Sequence, residues 1–290
     1  MKILVTGTSG QVGYELQRSL QGLGEVIAVD RAQMDLSNLD QVRDVIRAVK
    51  PNLIVNPAAY TAVDKAETEQ ELAFRINGEA PAVMAQEAKL LGAGIVHYST
   101  DYVFDGSKTG AYVETDPTCP INVYGASKLA GEQAIAAAGV PHLILRTNWV
   151  YGARGKNFLL TMLRLAAERD ELRVVGDQFG SPTWSRTIAD TTAQLLGRLD
   201  AQGGLLAALE EQGGIYHLTS SGSTSWHGFT EQIVAHASVN KKPKVTAIRS
   251  EEYPVPAKRP QNSVMAGDKL AALGVHVPSW QAALALCQSN

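Results

Sequence analysis

A glycine-rich turn follows the first strand-like run of the chain, residues 2–6, and a stretch of helical composition comes next. The turn spaces its glycines as G-x-x-G-x-x-G, at Gly7, Gly10 and Gly13. Glycine lets the backbone turn sharply and approach a pyrophosphate closely, and the helix that follows offers free N–H groups and the positive end of its dipole. This order of strand, turn and helix predicts a dinucleotide-binding βαβ unit at the start of the chain.

The same rhythm continues through the first half of the chain. Short apolar runs with strand character are residues 2–6, 25–30, 53–56, 95–99 and 142–147. Between them lie stretches of helical composition, residues 11–20, 39–49, 80–91 and 129–138, and the segment from Ser37 to Asp40 predicts a capping box for the second helix. Strands that alternate with helices predict an α/β fold with a Rossmann-type doubly wound parallel sheet.

After about Tyr151 the alternation of strand-like and helical segments becomes less regular. Glycines, two tryptophans and the proline-rich stretch 253–260 appear there. We therefore expect two lobes, a dinucleotide-binding domain over residues 1–150 and a smaller C-terminal α/β substrate lobe over residues 151–290. Residues 183–213 are expected to pack back on the first domain. Trp226 and His227 are interpreted as a possible helix cap in the second lobe.

Composition excludes several classes of function. The net charge is −3 without a basic block, which argues against a nucleic-acid partner, and no apolar run has membrane length. No signal-peptide pattern follows Met1, so a cytoplasmic location is expected. Two cysteines and six scattered histidines have no metal-ligand spacing. His97 lies inside the fourth strand and is predicted to be a hydrogen-bonded core histidine.

Candidate cofactor contacts lie where the predicted strands end. Asp30 could bind a ribose 2′-hydroxyl, whereas Arg31 could bind a 2′-phosphate, so NADPH and NADH both remain open. Arg31 is equally compatible with a solvated pair at a strand end. The candidate set is Gly7, Gly10, Gln11, Val12, Asp30, Arg31, Asp35, Leu36, Ala58, Ala59, Tyr60, Tyr124 and Lys128.

Tyr124 and Lys128 are spaced i, i+4, so a helix would place a phenol and an ammonium on one face. A nearby cation favours the phenolate, which would make the tyrosine a useful acid or base near neutral pH. Thr100 ends the fourth strand and could polarise a carbonyl there. Each residue alone also suits an ordinary surface or capping role, but together with the glycine turn they predict reduction of a carbonyl by a nicotinamide cofactor.

The motifs around these residues resemble the extended short-chain dehydrogenase/reductase superfamily. Residues 7–13 match its cofactor loop and residues 120–132 match its active-site helix. Within it, the chain is similar over essentially its whole length to the dTDP-4-dehydrorhamnose reductase family. That similarity rests on residues 10–13, 60–67, 99–104, 149–152 and 259–263.

The resemblance implies that a dTDP-linked 4-keto sugar is reduced at C4 by NADPH or NADH, with Thr100, Tyr124 and Lys128 as catalytic residues. It implies sugar-pocket and diphosphate contacts from Val63, Asp64, Thr100, Asp101, Tyr102, Trp149, Arg259, Asn262 and Ser263. An indole at Trp149 could form a wall for an apolar sugar face or simply fill the core. Some family members are magnesium-linked dimers, so Glu15 is a possible Mg²⁺ ligand, with Asp190 as a second acid, and a homodimer is possible.

Three rival functions share this fold. Dehydratases of the superfamily carry Thr-Asp-Glu where this chain has Thr100, Asp101 and Tyr102, so the acid that would expel a hydroxyl group is missing. Epimerases are harder to exclude, but they retain bound NAD, whereas a reductase must exchange its cofactor. A non-catalytic regulatory subunit is the third rival, and the intact set of Thr100, Tyr124 and Lys128 speaks against it.

Overall fold

The computed structural model describes residues 1–238 and 241–289. Its strands are β1 (Lys2–Val5), β2 (Glu25–Ala28), β3 (Leu53–Asn56), β4 (Gly94–Thr100), β5 (His142–Thr147), β6 (Val150–Tyr151), β7 (Glu171–Val175), β8 (Phe179–Gly180), β9 (Thr183–Trp184), β10 (Gly214–His217), β11 (Thr224–Ser225) and β12 (Lys244–Ile248). Its helices are α1 (Gln11–Ser19), α2 (Leu39–Val49), α3 (Val63–Ala66), α4 (Gln70–Phe74), α5 (Ala80–Leu91), α6 (Val123–Ala138), α7 (Phe158–Glu168), α8 (Ser185–Asp200), α9 (Leu205–Gln212), α10 (Trp226–His236), α11 (Asp268–Ala272) and α12 (Trp280–Gln288). None of the helices in these two ranges is long and apolar enough to cross a bilayer.

One six-stranded parallel sheet organises the first half of the chain, in the order β2-β1-β3-β4-β5-β10. The chain places β2 on one side of β1 and then returns to place β3 on the other. Sheets of this kind bind ligands above the carboxyl ends of the strands, beside that reversal. The prediction of a doubly wound parallel sheet is confirmed.

Both faces of this sheet are covered, because successive side chains of a strand point to opposite faces. Ile3 and Val5 belong to a buried apolar cluster with α1, α8 and α9, whereas Leu4 belongs to a second cluster with α2, α5 and α6. Full burial of one such side chain stabilises the fold by about 1.5–3 kcal/mol. These two layers hold the carboxyl ends of the strands in fixed positions.

Elements that follow residue 184 return to this sheet. Ile188 and Leu195 of α8 share the buried cluster of Leu16 on α1, and β10 extends the sheet beyond β5. The division of the chain at residue 150 stays a prediction.

A smaller apolar cluster is built from α7, α10, α12 and the parallel pair of β7 and β12. Phe229 lies at its centre, with ring centroids 5.3 Å from Tyr151, 5.7 Å from Phe158 and 6.0 Å from Trp280. Trp280, the first residue of α12, is buried there.

The start of α2 differs from the predicted capping box. Asn38 is the cap, and its side chain accepts a hydrogen bond from the Gln41 amide at 3.1 Å. Ser37 instead donates to Asp35. The capping-box prediction was therefore wrong by one position, because asparagine competes well for the same role.

A buried ion pair fixes α6 to β5. Arg146 donates to both carboxylate oxygens of Glu132, at 2.9 and 2.6 Å, and the two side chains are 2% and 3% exposed. The Arg146 guanidinium also lies 5.1 Å from the centre of the Phe104 ring. Removing one partner of such a pair leaves an uncompensated buried charge, which is strongly destabilising.

We expect Glu132→Ala to lower the free energy of unfolding by about 3–5 kcal/mol, because Arg146 would keep its charge without a partner. Urea denaturation measures this loss. The matched control is Glu168→Ala, since Glu168 pairs with Arg164 on an exposed face of α7 and should cost less than about 1 kcal/mol. Equal losses in the two variants would contradict the role of the buried pair.

Candidate active site

A cleft of about 680 Å³ opens above the carboxyl ends of β1, β3 and β4. Many of its walls come from residues that the sequence singled out: Gly7, Gly10, Gln11, Val12, Arg31, Asp35, Leu36, Ala58, Ala59, Val63, Thr100, Asp101, Tyr102, Tyr124, Lys128 and Trp149. The structure thus brings predicted cofactor and substrate residues to one continuous surface.

The glycine turn forms one end of this cleft. Gly7 has φ +57, and a Cβ atom there would come within 2.8 Å of the Ala58 Cβ, so only glycine fits without strain. Helix α1 begins directly afterwards, at Gln11, and its first N–H groups lack partners within the helix. The turn can therefore receive an anionic group at the positive end of α1.

The side chains of Asp30 and Arg31 differ in their partners and in whether they line the cleft. The Asp30 carboxylate accepts hydrogen bonds from the amides of Ala32 and Gln33, so it caps its own turn and is not part of the cleft wall. Arg31 is 76% exposed, lies on that wall and forms an ion pair with Asp35 at 3.3 Å. Hydrogen bonds from Ser37 hold the pKa of Asp35 below its usual range.

Tyr60 supports the cleft wall through its backbone. Its amide donates to Asn77 at 2.8 Å, its carbonyl accepts from the same side chain, and its phenol donates to Glu69. Asn77 also donates to Ser127 on α6, at 2.9 Å. Ala58 and Ala59, just before, line the cleft directly.

Helix α6 presents Tyr124 to the cleft from its first turn. The cap residue Asn122 accepts from the Gly125 amide at 2.7 Å. A Cβ atom at Gly125 would lie 2.1 Å from the Tyr102 carbonyl oxygen, so glycine is required for this close approach. The rings of Tyr102 and Tyr124 then meet edge to face, 5.6 Å apart.

Tyr124 shares this wall with Thr100, whose hydroxyl donates to Asp101 at 3.0 Å. Burial raises the pKa of Tyr124 to about 12, and burial likewise raises the pKa of Asp101 to about 6. Burial therefore dominates the pKa of Tyr124, against the expectation that Lys128 would lower it. At neutral pH the phenol keeps its proton and can donate it.

Lys128 lies one turn further along α6 and is buried. Its ammonium nitrogen is 2.6 Å from the Tyr98 carbonyl oxygen and 3.2 Å from Nε2 of His97. Burial lowers the pKa of Lys128 to about 8, although Glu132 opposes this shift. His97 is buried and hydrogen-bonded, which confirms the prediction of a core histidine.

Trp149 forms the far wall together with a residue that the sequence did not identify as part of the site. Its ring stacks on Trp226, with centroids 3.5 Å apart and planes 7° apart, and Phe158 packs on Trp226 from beside it. Trp149 has φ +45, a conformation that non-glycine residues rarely adopt and that often marks functional sites.

Four residues from the predicted substrate set are held by partners away from the cleft wall. Arg259 donates to Asp64 at 2.9 Å, and the ring of Tyr102 lies beneath it at 5.9 Å. The Asn262 amide donates to the carbonyls of Lys108 and Gly110. Substrate roles for these residues and for the buried Ser263 stay predictions.

Glu15 lies on α1, away from the cleft. Asp190, the second acid considered for a metal, accepts from Ser19 and lies 3.6 Å from Arg186. Over residues 1–238 and 241–289, no group of three or more histidine, cysteine or acidic side chains could hold a metal ion.

Sequence reasoning also missed Lys156 and Asn157 as residues of the cleft wall. The Asn157 amide donates to the Gln11 side chain at 2.9 Å, which links the glycine turn to the loop before α7. Lys156 and Asn157 follow a strand that ends at the cleft, and this position could have identified them from the sequence.

The comparisons with known proteins agree with this geometry. The family model described as RmlD substrate binding domain matches residues 1–290. A dTDP-4-dehydrorhamnose reductase from Burkholderia thailandensis is 50% identical, over 99% of this chain and 98% of that protein.

Solved structures extend the comparison. A dTDP-4-dehydrorhamnose reductase from Bacillus anthracis, in complex with NADP, superposes with a TM-score of 0.90 at 37% identity, covering 99% of this chain and 98% of that one. A UDP-glucose 4-epimerase from Thermus thermophilus shares the fold alone, with a TM-score of 0.83 at 20% identity over 100% of this chain and 98% of that one. The chain belongs to the dTDP-4-dehydrorhamnose reductase family of NAD(P)H-dependent oxidoreductases, within the extended short-chain dehydrogenase/reductase superfamily.

Proposed function

We propose that this chain reduces the C4 keto group of dTDP-4-dehydro-L-rhamnose to give dTDP-L-rhamnose, with NADPH as its preferred reductant. The main support for this proposal is that Thr100, Tyr124 and Lys128 lie on one wall of a single cleft. The glycine turn forms one end of the same cleft. Family membership supports the sugar nucleotide as the substrate class.

The cleft fits a dinucleotide phosphate. Gly7, Gly10, Gln11 and Val12 would hold the pyrophosphate at the start of α1, and the exposed guanidinium of Arg31 would bind a 2′-phosphate. Since the Asp30 carboxylate is occupied by its own turn, NADPH is favoured over NADH. When bound, NADPH supplies the hydride that reduces the carbonyl carbon.

Tyr124 donates the proton to the carbonyl oxygen as negative charge develops there. Its raised pKa, about 12, keeps the phenol protonated at neutral pH, as a donor requires. Thr100, on the same wall of the cleft, offers a second polar contact to the same oxygen. Lys128 contributes an N–H group to the cofactor side of the cleft.

The substrate would lie between Tyr102 and the stacked indoles of Trp149 and Trp226, because apolar sugar faces pack well on aromatic rings. Its diphosphate would compete with Asp64 for the guanidinium of Arg259, which suits bidentate phosphate binding. Val63 and Asp101 complete this part of the wall.

Several expectations remain outside the proposed mechanism. The Mg²⁺ ion is not part of it, since Asp190 already has partners in Ser19 and Arg186. The homodimer, the cytoplasmic location and the absence of nucleic-acid partners stay predictions. The direct test of the function is oxidation of NADPH, followed by its near-ultraviolet absorbance, with and without the keto sugar nucleotide; oxidation that does not need the sugar would contradict it.

We expect Tyr124→Phe to lower the turnover number by about 10²–10⁴-fold, because the general acid is lost. The dissociation constant for NADPH should stay close to that of the unchanged protein. Steady-state kinetics and fluorescence titration measure the two effects. Tyr216→Phe is the matched control, because it removes a phenol that donates to the Gln212 carbonyl outside the cleft. Near-normal turnover in the Tyr124→Phe variant would show that Tyr124 is not the general acid.

We expect Arg31→Ala to weaken NADPH binding by about tenfold to 100-fold and to leave NADH binding nearly unchanged, because only NADPH carries the 2′-phosphate. Fluorescence titration with each cofactor measures the ratio. Arg164→Ala on the exposed face of α7 is the control for loss of a surface arginine. Equal weakening for both cofactors would show that Arg31 does not read the 2′-phosphate.

A further inference from the structure

The loop between β6 and α7, residues 152–157, lies against the start of α1. The Asn157 amide donates to Oε1 of Gln11, the first residue of that helix, at 2.9 Å. Gly155 has φ +73, and a Cβ atom there would lie 3.6 Å from Cγ of Gln11. The residues on both sides of Lys156 are therefore next to the residue at which the glycine turn enters its helix. Lys156 itself lines the cleft together with that turn.

Two further sets of contacts fix the backbone of this loop. The Arg154 guanidinium lies 4.0 Å from the centre of the Tyr14 ring on α1, within the range of a cation–π interaction. The Asn157 amide also donates to the carbonyls of Gly152 and Arg154, at 2.8 and 3.0 Å, and so closes the loop on itself. The backbone around Lys156 therefore has a defined position beside the first turns of α1.

Lys156 differs from the other cations of the cleft wall in its surroundings. Over the part of the chain that the structure describes, the cations on this wall are Arg31, Lys128 and Lys156. Arg31 pairs with Asp35, and the buried Lys128 donates to the Tyr98 carbonyl. Lys156 is exposed, and none of the described residues forms a hydrogen bond or an ion pair with its ammonium. Its charge is therefore free to meet an anionic ligand.

The glycine turn alone leaves part of the charge of a pyrophosphate unmatched. Each phosphate of such a bridge carries negative charge, whereas the start of a helix is equivalent to about half a positive elementary charge. A full positive charge beside the turn improves this balance, because an ammonium binds phosphate oxygens as a compact point charge. Lys156 is a cation whose own loop contacts that helix start.

We propose that Lys156 binds the pyrophosphate of the nicotinamide dinucleotide, and that its loop holds this charge beside the start of α1. The inference rests on the proposed function, since it needs a dinucleotide in the cleft. The pyrophosphate is common to NADPH and NADH, so Lys156 contributes to the affinity for both cofactors and not to the choice between them. It differs in this respect from Arg31, whose proposed ligand is the 2′-phosphate.

The position of the loop favours the cofactor over the substrate as the source of this anion. Both ligands carry a diphosphate group. The loop contacts Gln11 and Tyr14, which belong to the helix that follows the glycine turn. Arg259, the proposed contact of the substrate diphosphate, is instead paired with Asp64 away from the cleft wall.

The test is the dissociation constant of Lys156→Met for NADPH and for NADH, measured by nicotinamide fluorescence without sugar substrate. Methionine keeps most of the length of the side chain and removes its charge. Both constants should rise by about tenfold, because a charge-assisted contact is lost, and their ratio should stay unchanged. Lys156→Arg, which keeps the charge, should bind both cofactors within about threefold of the unchanged protein.

Lys244→Met is the matched control, because Lys244 is an exposed lysine on β12 outside the cleft wall. It should leave both constants unchanged. An equal loss of affinity in Lys244→Met, or a loss in Lys156→Met that is confined to NADPH, would overturn the inference. Affinities of Lys156→Met that stay within about twofold of those of the unchanged protein would overturn it as well.

Chemical labelling of the unchanged protein locates the contact without any variant. Acetylation of Lys156 by an N-hydroxysuccinimide ester, followed by mass spectrometry, should slow when ADP-ribose is bound, because that ligand has the pyrophosphate but no nicotinamide. Adenosine 2′-phosphate, which has no pyrophosphate, should give no protection. Protection by both ligands, by neither, or by dTDP in place of ADP-ribose would overturn the inference.

Failure of this contact and failure of the proposed function give different results. Cofactor binding that depends on Lys156, without sugar-dependent oxidation of NADPH, would refute the proposed function and leave the contact standing. Sugar-dependent oxidation by a Lys156→Met variant that binds both cofactors normally would refute the contact alone.

Discussion

The site depends on the buried ion pair between Arg146 and Glu132. Two charges removed from water are tolerated only when they satisfy each other with good geometry, and here both guanidinium contacts are short and the pair is almost fully enclosed. The pair joins the strand that leads to Trp149 with the helix that carries Tyr124 and Lys128. Because Lys128 lies one turn before Glu132, a sliding or rotation of α6 would break the ion pair and misplace the lysine together.

Small residues in α6 allow this helix to pack closely enough for the ion pair between Arg146 and Glu132 to form. A Cβ atom at Gly125 would collide with the Tyr102 carbonyl, and one at Gly131 would come within 2.2 Å of the Asn77 carbonyl. The helix therefore packs backbone against backbone at two of its turns. Asn77 in turn holds Tyr60 and Ser127, so the segment that follows β3 and lines the cleft is joined to the same helix.

The sequence predicted those parts of the fold that depend on local pattern. The bounds of β3, β5, α2 and α5 agree with the predicted segments, because each has strong periodicity and clear ends. Helix α6 begins at Val123 rather than at residue 129, since glycine and serine in its first turns weaken the helical signal while Asn122 supplies the cap. Strand β10 was not predicted, because only its distant pairing with β5 makes it a strand of the main sheet.

The residues of the candidate site fall into the same two groups: those that local pattern can predict and those that depend on contacts between distant parts of the chain. Residues directly after strands, such as Thr100 and Ala58, could be placed from topology alone. The stacking of Trp226 on Trp149 and the pairing of Arg259 with Asp64 join residues far apart in sequence, and local patterns carry no information about such contacts. The direction of the Tyr124 pKa was also misjudged, because the depth of burial cannot be read from spacing.

Burial gives the centre of the cleft a common electrostatic character. Tyr124, Lys128 and Asp101 all have pKa values shifted toward their neutral forms, and burial is the largest cause in each case. A low-dielectric centre strengthens every hydrogen bond to a carbonyl oxygen that gains charge there. The positive groups on the cleft wall are less buried than this centre: Arg31 is exposed, and the start of α1 is half-buried or exposed. One cleft thus combines a turn suited to an anionic group with a Tyr124 phenol that keeps its proton at neutral pH.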